Sequence, residues 1–374
     1  MPLSSTDAYL ALNLLPKIGP VRVRRLIRAF STPTRILTAS TQQLETVEGI
    51  GRDIAATIHR WENHVDLELE KKRLRDHNIG VITQDSPSYP KYLSQIYDPP
   101  FLLYIKGQLL PRDQTALGVV GSRRATHYGL QTARKLSFQL AHAGVTIVSG
   151  LARGIDTAAH EGALAAKGRT IAVLGSGIAN VYPAENQPLA EKIAASGAIL
   201  SEFPPLYVPD KQSFPLRNRI VSGMSLGILV VEAPGRSGSL ITANQALDQG
   251  RNVYAIPGPI DRPSSEGTNR LIQQGAKLIL NGDDVLEDID SLFPLDPVTA
   301  AERPAREESH LRGLDTLSEE EKSLYEAIDD TETQIDTLIQ RTGLPAATVS
   351  ANLLRLEMKR LVKQLPGNFF IKLI

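Results

Sequence analysis

The chain has 374 residues, enough for two or three domains, and its apolar content of 42% is sufficient for hydrophobic cores. Its 41 basic residues balance 41 acidic ones, so any attraction for phosphate must come from local clusters. The absence of cysteine excludes disulfides and thiolate chemistry, and the histidines show no ligand spacing, so we expect no metal. No stretch approaches the roughly 20 apolar residues that cross a bilayer, and we expect a cytoplasmic protein without a membrane partner.

Residues 1–79 are predicted to form a helical domain. Two of its segments resemble each other, LPKIGPVRVRRLI (Leu15 to Ile27) and VEGIGRDIAATI (Val47 to Ile58). Each has glycine beside isoleucine in a tight turn before a helix start, where backbone N–H groups can hold a phosphate. The pair resembles tandem (SAM-like) helix-hairpin-helix motifs, which bind DNA without sequence preference, and a basic packing module is the alternative. The basic residues of the first segment and its surroundings are Lys17, Arg22, Arg24, Arg25 and Arg28.

Residues 80–290 are predicted to form an α/β domain. It opens with a proline- and tyrosine-rich connector, irregular as far as a strand at Phe101 to Ile105. Short apolar runs then alternate with helical stretches, which is typical of a Rossmann-like, doubly wound and mostly parallel sheet with helices on both faces. The predicted strands are Leu117 to Val120, Thr146 to Val148, Thr170 to Leu174, Ile199 to Ser201, Gly227 to Val231, Asn252 to Ala255 and Lys277 to Leu280.

Several of these strands run directly into glycine-rich turns that carry arginine, as in LGVVGSRR, TIVSGLARG and ILVVEAPGRSGS. In a parallel sheet such turns share one rim, at the carboxyl ends of the strands, so glycines clear the floor of a crevice and arginines line it. The segment KQSFPLRNR (Lys211 to Arg219) adds cations and an aromatic ring, the two groups that hold single-stranded nucleic acid. The sequence therefore predicts a phosphate-binding crevice.

Two enzyme interpretations use the same rim. VLGSGIANVYP begins like a dinucleotide fingerprint, but Asn180 takes the place of the third glycine, so we expect no NAD, FAD or other cofactor. EAPGRSGSLIT resembles the loop of the lysine-decarboxylase-like nucleotide phosphoribohydrolases, but Thr242 stands where those enzymes have a glutamate and Arg236 replaces a glycine. That enzyme is the alternative function. Because no histidine partners Ser149 or Ser239 in a recognisable way, we expect no catalytic residue and no enzyme activity.

The central motifs occur together in one known family. GSRRATHYG, SGLARGIDTAAH, VLGSGIANVYPAEN, LSEFP, FPLRNRIVSG, VVEAPGRSGSLITANQALDQGRNVYAIPG and GTNRLIQQGAKLI resemble, in order and spacing, the DNA-processing protein A (DprA, also called Smf) family over roughly Gly80 to Gly282. The resemblance implies a protein that binds single-stranded DNA, protects incoming DNA during natural transformation and helps to load the RecA recombinase. It also implies a homodimer formed through the Rossmann-like domain.

The resemblance assigns Arg123, Lys211 and Phe214 to DNA contacts, with the cations on phosphates and the ring against a base. Glycine-rich turns and helix starts also offer backbone N–H groups for further phosphates. The residues predicted to offer them are Gly121, Ser122, Gly150, Gly238 and Ser239. Phe214 has a core position as its alternative.

A second group of candidate DNA-binding cations consists of Arg153, Arg217, Arg219 and Arg236. For Arg153 and Arg219 the alternative is an internal ion pair, because buried arginines are usually paired. The acids considered for that pairing are Asp156, Glu161 and Glu202. Asp156 and His160, four positions apart at a helix start, are interpreted as a cap or a structural pair rather than an acid–base couple.

Residues 291–313 are proline-containing and charged, which predicts a linker, and residues 314–374 are predicted to be a winged-helix domain. A capping box at Ser318 and Glu321 opens its first helix. The second is expected from Thr333 to Gly343, the third from Pro345 through Arg360, and a hairpin turns at Pro366-Gly367.

The winged-helix domain has two possible roles. Its third helix carries cations and its wing carries phenylalanines, as a DNA-recognition unit would, namely Arg355, Lys359, Arg360, Phe369 and Phe370. From Ala300 onward, however, 13 acidic residues face 10 basic ones, which favours a partner-binding or dimer-regulating module equally. A third hypothesis for the whole protein is a duplex binder that works through its terminal modules.

Overall fold

The computed structural model describes residues 3–292, 317–329, 333–358, 361–365 and 369–372. The chain divides into two compact units, Met1–Ala300 and Ala301–Ile374, which are described separately below. Within the described ranges, none of the helices combines the length and the apolar character needed to cross a membrane.

The N-terminal segment is helical, as its sequence predicts. Its helices are α1 (Ser5–Leu14), α2 (Pro20–Phe30), α3 (Pro33–Thr38), α4 (Thr41–Glu45), α5 (Arg52–His59) and α6 (Leu67–Asp76). Both glycine turns precede helix starts, with Gly19 as the N-cap of α2 and Gly51 as the N-cap of α5. The guanidinium of Arg22 joins the two turns, because it donates to the carbonyl of Lys17 at 2.8 Å and to that of Gly49 at 3.0 Å.

A nine-stranded sheet lies within residues 80–278. Its strands are β1 (Gly80–Thr83), β2 (Leu102–Gly107), β3 (Ala116–Val120), β4 (Thr146–Ser149), β5 (Thr170–Leu174), β6 (Ala198–Ser201), β7 (Gly227–Val230), β8 (Asn252–Ala255) and β9 (Lys277–Leu278). Their order is β1-β2-β6-β5-β4-β3-β7-β8-β9, and all neighbours from β6 to β9 are parallel. The chain builds outward from β3 to β6 and then returns to the other side of β3, so the strand order reverses between β3 and β7.

Helices cover both faces of this sheet. They are α7 (His127–His142), α8 (Ile155–Ala165), α9 (Gln187–Ser196), α10 (Ser213–Gly223), α11 (Gly238–Asp248), α12 (Glu266–Gln273) and α13 (Gly282–Leu292). Helices α7 and α8 pack with Leu117 and Val119 of β3 on one face, and α10 and α11 pack with Val120 on the other. The doubly wound fold predicted from the apolar runs is confirmed.

The connector before β3 differs from its prediction. β1 falls in a segment expected to be irregular, yet it pairs antiparallel with β2, and β2 pairs antiparallel with β6. A strand of four residues is too short to show an alternating pattern, and the register of β1 is supplied by a partner about twenty residues away. At the opposite edge, β9 ends at Leu278 rather than at the expected Leu280.

The helical segment and the sheet share a hydrophobic core. Buried residues of α1 and α2, such as Leu12 and Leu26, belong to the same cluster as Tyr104 of β2 and Ile199 of β6. A polar contact reinforces this packing, because Asn13 donates to the backbone carbonyl of Glu202 at 3.2 Å. The proposed boundary near residue 79 therefore separates two sequence patterns that fold onto one core, and as a domain boundary it stays a prediction.

The second unit is a winged helix, as predicted. Its elements are α14 (Glu319–Ala327), β10 (Thr333–Gln334), α15 (Ile335–Thr342), α16 (Ala346–Met358), β11 (Val362–Leu365) and β12 (Phe369–Lys372), with the strand order β10-β12-β11. Ser318 and Glu321 form the expected capping box. Thr333 does not open a helix, because it lies in β10 and pairs with Phe370.

The candidate DNA-contacting residues of this unit have mixed outcomes. Phe370 is buried in the core of the unit with Leu338 and Leu353, so it is not available on the wing surface. Arg355 is exposed on α16. Lys359, Arg360 and the turn at Pro366-Gly367 lie outside the described residues.

Candidate functional site

A cleft of about 580 Å³ opens at the carboxyl ends of β3 and β7, where the strand order reverses. Its walls are the turn after β3, the start of α10 and the turn before α11. In an open α/β sheet this is the position where ligands bind. The predicted site residues that line it are Gly121, Ser122, Arg123, Lys211, Phe214, Arg217, Arg236, Gly238 and Ser239.

Exposed cations and a half-buried aromatic ring line this cleft together. Arg123, Lys211 and Arg236 come from three different segments and are all exposed. The guanidinium carbon of Arg123 lies 4.8 Å from the ring centroid of Phe214. The ring also packs against Gly175, where an added Cβ would come within 2.9 Å of it, so a glycine is required there. Phe214 thus contacts both Gly175 and the guanidinium of Arg123.

The floor of the cleft contains a buried charge. Arg217 is 4% exposed, and its guanidinium donates to the carbonyls of Gly150 and Val173. A Cβ at Gly150 would lie 2.1 Å from this guanidinium, so only glycine allows the approach. Burial lowers the pKa of Arg217 to about 10, which leaves it charged at neutral pH. Arg217 therefore supplies positive potential from below while its donors are used inside the protein.

Asp156 is the carboxylate among the described residues that line the cleft, and it is engaged internally. Its Oδ2 atom accepts hydrogen bonds from the backbone N–H groups of Gly150 at 3.1 Å and Ala152 at 3.3 Å. Burial raises the pKa of Asp156, and the nearby charge of Arg217 opposes that effect. The carboxylate holds the turn after β4, which agrees with its interpretation as a structural group.

Two predicted arginines are bound by acids elsewhere. Arg219 does not line the cleft; it is 4% exposed and pairs with Glu202 at 2.5 Å and with Asp98 at 3.2 Å. Its prediction as a DNA contact is therefore wrong, because its charge is buried and neutralised. Arg153 lies in a small neighbouring cavity beside Arg123 and forms two hydrogen bonds with Glu185, at 2.5 and 2.7 Å.

Several backbone N–H groups expected to bind phosphate already have partners. The N–H of Ser122 donates to the carbonyl of Glu232 at 2.7 Å, and that of Gly150 donates to Asp156. The N–H of Ser239 donates to the hydroxyl of Ser237 at 3.3 Å. The turns use these three groups to hold their own shape, so a phosphate would have to replace an internal partner, and their role toward phosphate stays a prediction.

The two remaining glycines have different surroundings. A Cβ at Gly121 would lie 2.5 Å from Ile155, so this glycine serves the packing of β3 against α8. Gly238 begins α11, is exposed, and has open space where a Cβ would be. The start of α11 therefore keeps the open geometry that a phosphate requires.

The structure adds cleft residues that sequence reasoning missed. Arg124 is exposed and lines the cleft beside Arg123, and Asn218 lines it from α10. Tyr182 lines the small neighbouring cavity; it is 45% exposed, and its ring centroid lies 5.8 Å from that of Phe214. Tyr182 follows β5 on the same rim as the other turns, and that position is the signal that could have identified it.

The fold and the site define a class of protein: a doubly wound α/β protein with a cationic, aromatic cleft where its strand order reverses, flanked by helix-hairpin-helix and winged-helix units. The chain belongs to the DNA recombination-mediator protein A family, whose model matches residues 80–290. Further matches are to the DprA winged helix domain at residues 304–368 and to the SAM-like helix-hairpin-helix tandem at residues 9–60. The family resemblance carried by the central motifs is confirmed.

Relatives with known names cover much of the chain. Protein Smf of Synechocystis is 36% identical over 97% of this chain and 98% of its own length, and DprA of Bacillus subtilis is 46% identical over 58% and 73%. The crystal structure of DprA from Streptococcus pneumoniae matches with a TM-score of 0.69 and 35% identity, over 77% of this chain and 99% of that one. DprA of Helicobacter pylori, described for its single-stranded DNA binding mode, matches with a TM-score of 0.52 and 31% identity, over 57% and 96%.

Proposed function

We propose that this protein binds single-stranded DNA in the cleft, with rim cations on phosphates and Phe214 against a base. The observation that carries the proposal is that exposed Arg123, Lys211 and Arg236 line one cleft with a half-buried aromatic ring. Cations that follow the backbone and an aromatic face that stacks on a base are the two elements of single-strand binding. Single-stranded DNA binding by the Helicobacter pylori relative supports the same ligand.

Arg123 and Phe214 act together in this proposal. In the described state the guanidinium of Arg123 lies over the ring of Phe214. A phosphate attracts the guanidinium outward, and the uncovered ring then receives a base. The exchange replaces one cation–ring contact by an ion pair and a stack, and it needs no change in the backbone.

The cleft is proposed to bind with little sequence preference. Phosphate contacts carry no sequence information, and every base has a face that can stack. A stacking aromatic residue contributes about 1–3 kcal/mol to the binding free energy. Each phosphate contact on a single strand adds about −0.7 to the slope of log affinity against log salt concentration. These two quantities are what an experiment on the cleft should measure.

The phosphoribohydrolase alternative is not favoured, and we propose that no bond is made or broken in the cleft. Thr242 lines the cleft at the position where those enzymes have a glutamate. The carboxylate that is present, Asp156, accepts two backbone hydrogen bonds and is buried. A group held in this way is not placed to assist cleavage of a glycosidic bond.

The wider role proposed from the family resemblance is cytoplasmic: protection of incoming DNA in natural transformation and loading of RecA, by a homodimer. Two clefts on one dimer would raise the affinity for a strand that spans both, through effective concentration. The sheet offers a surface for a second copy at the edge strand β9, where Leu278 is 42% exposed and nearby Leu280 is 74% exposed. Exposed edges of this kind favour pairing with another chain.

A titration of the full-length chain with three ligands tests the proposal. We expect a single-stranded oligonucleotide to bind more tightly than a duplex of the same length or a nucleoside monophosphate, and the variant Arg123→Gln, Phe214→Ala to lose most of that binding. Release of free base from the monophosphate would instead support the phosphoribohydrolase. Preferred binding of duplex that the variant retains would support the terminal modules as the DNA-binding units.

A further inference from the structure

The small neighbouring cavity, of about 30 Å³, continues the cleft past the ring of Phe214. Arg123, Phe214 and Arg217 line both openings, whereas Arg153 and Tyr182 line the small cavity and not the cleft. A volume of about 30 Å³ is that of one water molecule in the liquid, so no nucleobase fits inside. The small cavity can therefore offer a DNA strand only the side chains at its mouth.

Positive charge dominates the walls of the small cavity. Of the described residues that line it, three are arginines and none is acidic. The turns that carry Arg123 and Arg153 lie against each other, because a Cβ at Gly154 would lie 2.3 Å from the carbonyl oxygen of Ser122. A row of cations therefore extends from the cleft to Arg153, whose side chain is 57% exposed.

In this structure the carboxylate of Glu185 is bound to the end of that row. The Nε and Nη2 atoms of Arg153 donate to its Oε1 and Oε2 atoms at 2.5 and 2.7 Å, so both oxygens are engaged by one guanidinium. Arginine binds two oxygens of a phosphate with the same forked geometry. The hydrogen bonds from Arg153 lower the pKa of Glu185, so the carboxylate is charged at neutral pH. Glu185 therefore lies on Arg153 as a phosphate would.

The ion pair can open without a movement of the backbone. Both of its side chains are more than half exposed, and exposed ion pairs are weak. The loop of Glu185 is fixed by its neighbour instead, because the buried amide of Asn186 donates to the carbonyl of Leu151 and to the hydroxyl of Thr157, both at 2.9 Å. Since Leu151 belongs to the turn of Arg153, the two loops stay together when the ion pair is broken.

We propose that Glu185 is an internal competitor of DNA: its carboxylate occupies Arg153 before DNA binds, and a backbone phosphate of the strand held in the cleft displaces it. The proposal rests on the proposed function, since the strand must first lie in the cleft. A strand anchored there presents its next phosphate at a high effective concentration, which a free anion does not. The carboxylate therefore yields to a polynucleotide in preference to free phosphate.

The affinity of Glu185→Gln for a single-stranded oligonucleotide tests the competition. The amide keeps the size of the side chain and can still accept one hydrogen bond from Arg153, but it carries no charge. We expect the full-length variant to bind more tightly than the wild type by up to about fivefold, because an exposed ion pair is weak. The slope of log affinity against log salt concentration should become steeper by up to about 0.7, because no carboxylate is set free to attract a cation. The thermal unfolding temperature should not change.

Two further variants separate the competition from a general effect of charge. When Arg153→Gln is already present, the change Glu185→Gln should bring at most a small gain in affinity, because no guanidinium is released. Glu161→Gln removes the acid of a similarly exposed ion pair with Arg134 that lines neither opening, and it should bind DNA like the wild type.

An unchanged affinity in Glu185→Gln would overturn this inference, and so would an equal gain with and without Arg153. If Arg123→Gln still weakens binding in either case, the proposed function stands. If Arg123→Gln binds like the wild type, that function fails as well.

Discussion

The rim and the floor of the cleft use the same kind of side chain for opposite purposes. Lys211 and Arg219 are the first and last residues of one short segment, KQSFPLRNR. Lys211 is exposed in the cleft, whereas Arg219 is buried with two acids. Arg217, between them, is buried beneath the cleft and donates to carbonyls. Position relative to the sheet, and not residue type, determines which cations are available to DNA. The rim should therefore control affinity, and the buried arginines should control stability.

The largest expected effect is the loss of folding stability when a buried ion pair is broken. Arg219→Met should lower the free energy of unfolding by about 3–5 kcal/mol, because it leaves Glu202 buried without its partner. Chemical denaturation of the full-length chain measures this. Arg236→Met, at an exposed arginine of the rim, is the matched control and should unfold like the wild type. Equal stability of the two variants would remove the distinction between the buried arginines and the exposed rim.

Loss of the aromatic ring comes next. Phe214→Ala should weaken binding to a homopolymer single strand by about 1–3 kcal/mol, because one base loses its stacking partner. Fluorescence anisotropy with a labelled oligonucleotide gives the dissociation constant. Phe203→Ala serves as a control, since this ring stacks on Tyr207 and does not line the cleft. Undiminished affinity in Phe214→Ala would contradict the proposed contact.

The pH dependence of stability tests whether the region under the floor is sealed from water. Burial, and then the charge of Arg217, lower the pKa of His160 to about 3, so the folded chain keeps the imidazole neutral. The unfolded chain takes up that proton below about pH 6.5, and each pH unit below this value should therefore cost about 1.4 kcal/mol of stability. In His160→Gln this contribution should disappear. Denaturation curves at several pH values between 6.5 and 4.5 give the free energy of unfolding of both proteins. If this free energy changes with pH equally in the two proteins, the region under the floor is hydrated.

The smallest expected effect is the coupling between two rim residues. Because Arg123 covers Phe214 before binding, the losses of affinity in Arg123→Ala and Phe214→Ala should not add in the double variant. A coupling free energy of at least about 0.5 kcal/mol is expected from residues in contact. A double-mutant cycle on oligonucleotide affinity measures it. Strict additivity would mean that the ring and the guanidinium bind DNA independently.

Local patterns predicted the features that depend on local physics. The apolar runs of β3, β5 and β7 and the glycine turns after them follow from strand propensity and turn chemistry, and the shared rim follows from parallel pairing. The capping box at Ser318 is likewise local. For this reason the sequence alone predicts the fold and the position of the cleft.

Contacts between distant residues determined the rest. The N–H of Ser122 donates to the carbonyl of Glu232, and Asp98 partly neutralises Arg219. In both pairs the partners are far apart in sequence. Tyr182 reaches Phe214 only because β5 ends beside the start of α10. Spacing along a chain cannot show which donor is already used, so the sequence overestimated the number of groups free to hold phosphate.

The salt dependence of single-strand affinity tests the central claim most directly. The slope of log affinity against log salt concentration should be shallower for Arg123→Gln than for the wild type by about 0.7, which is the contribution of one phosphate contact. Arg134→Gln, at an exposed arginine paired with Glu161 away from the cleft, should keep the wild-type slope. A slope and an affinity that are the same in Arg123→Gln as in the wild type would contradict the account, because the rim would then not be the surface that holds DNA.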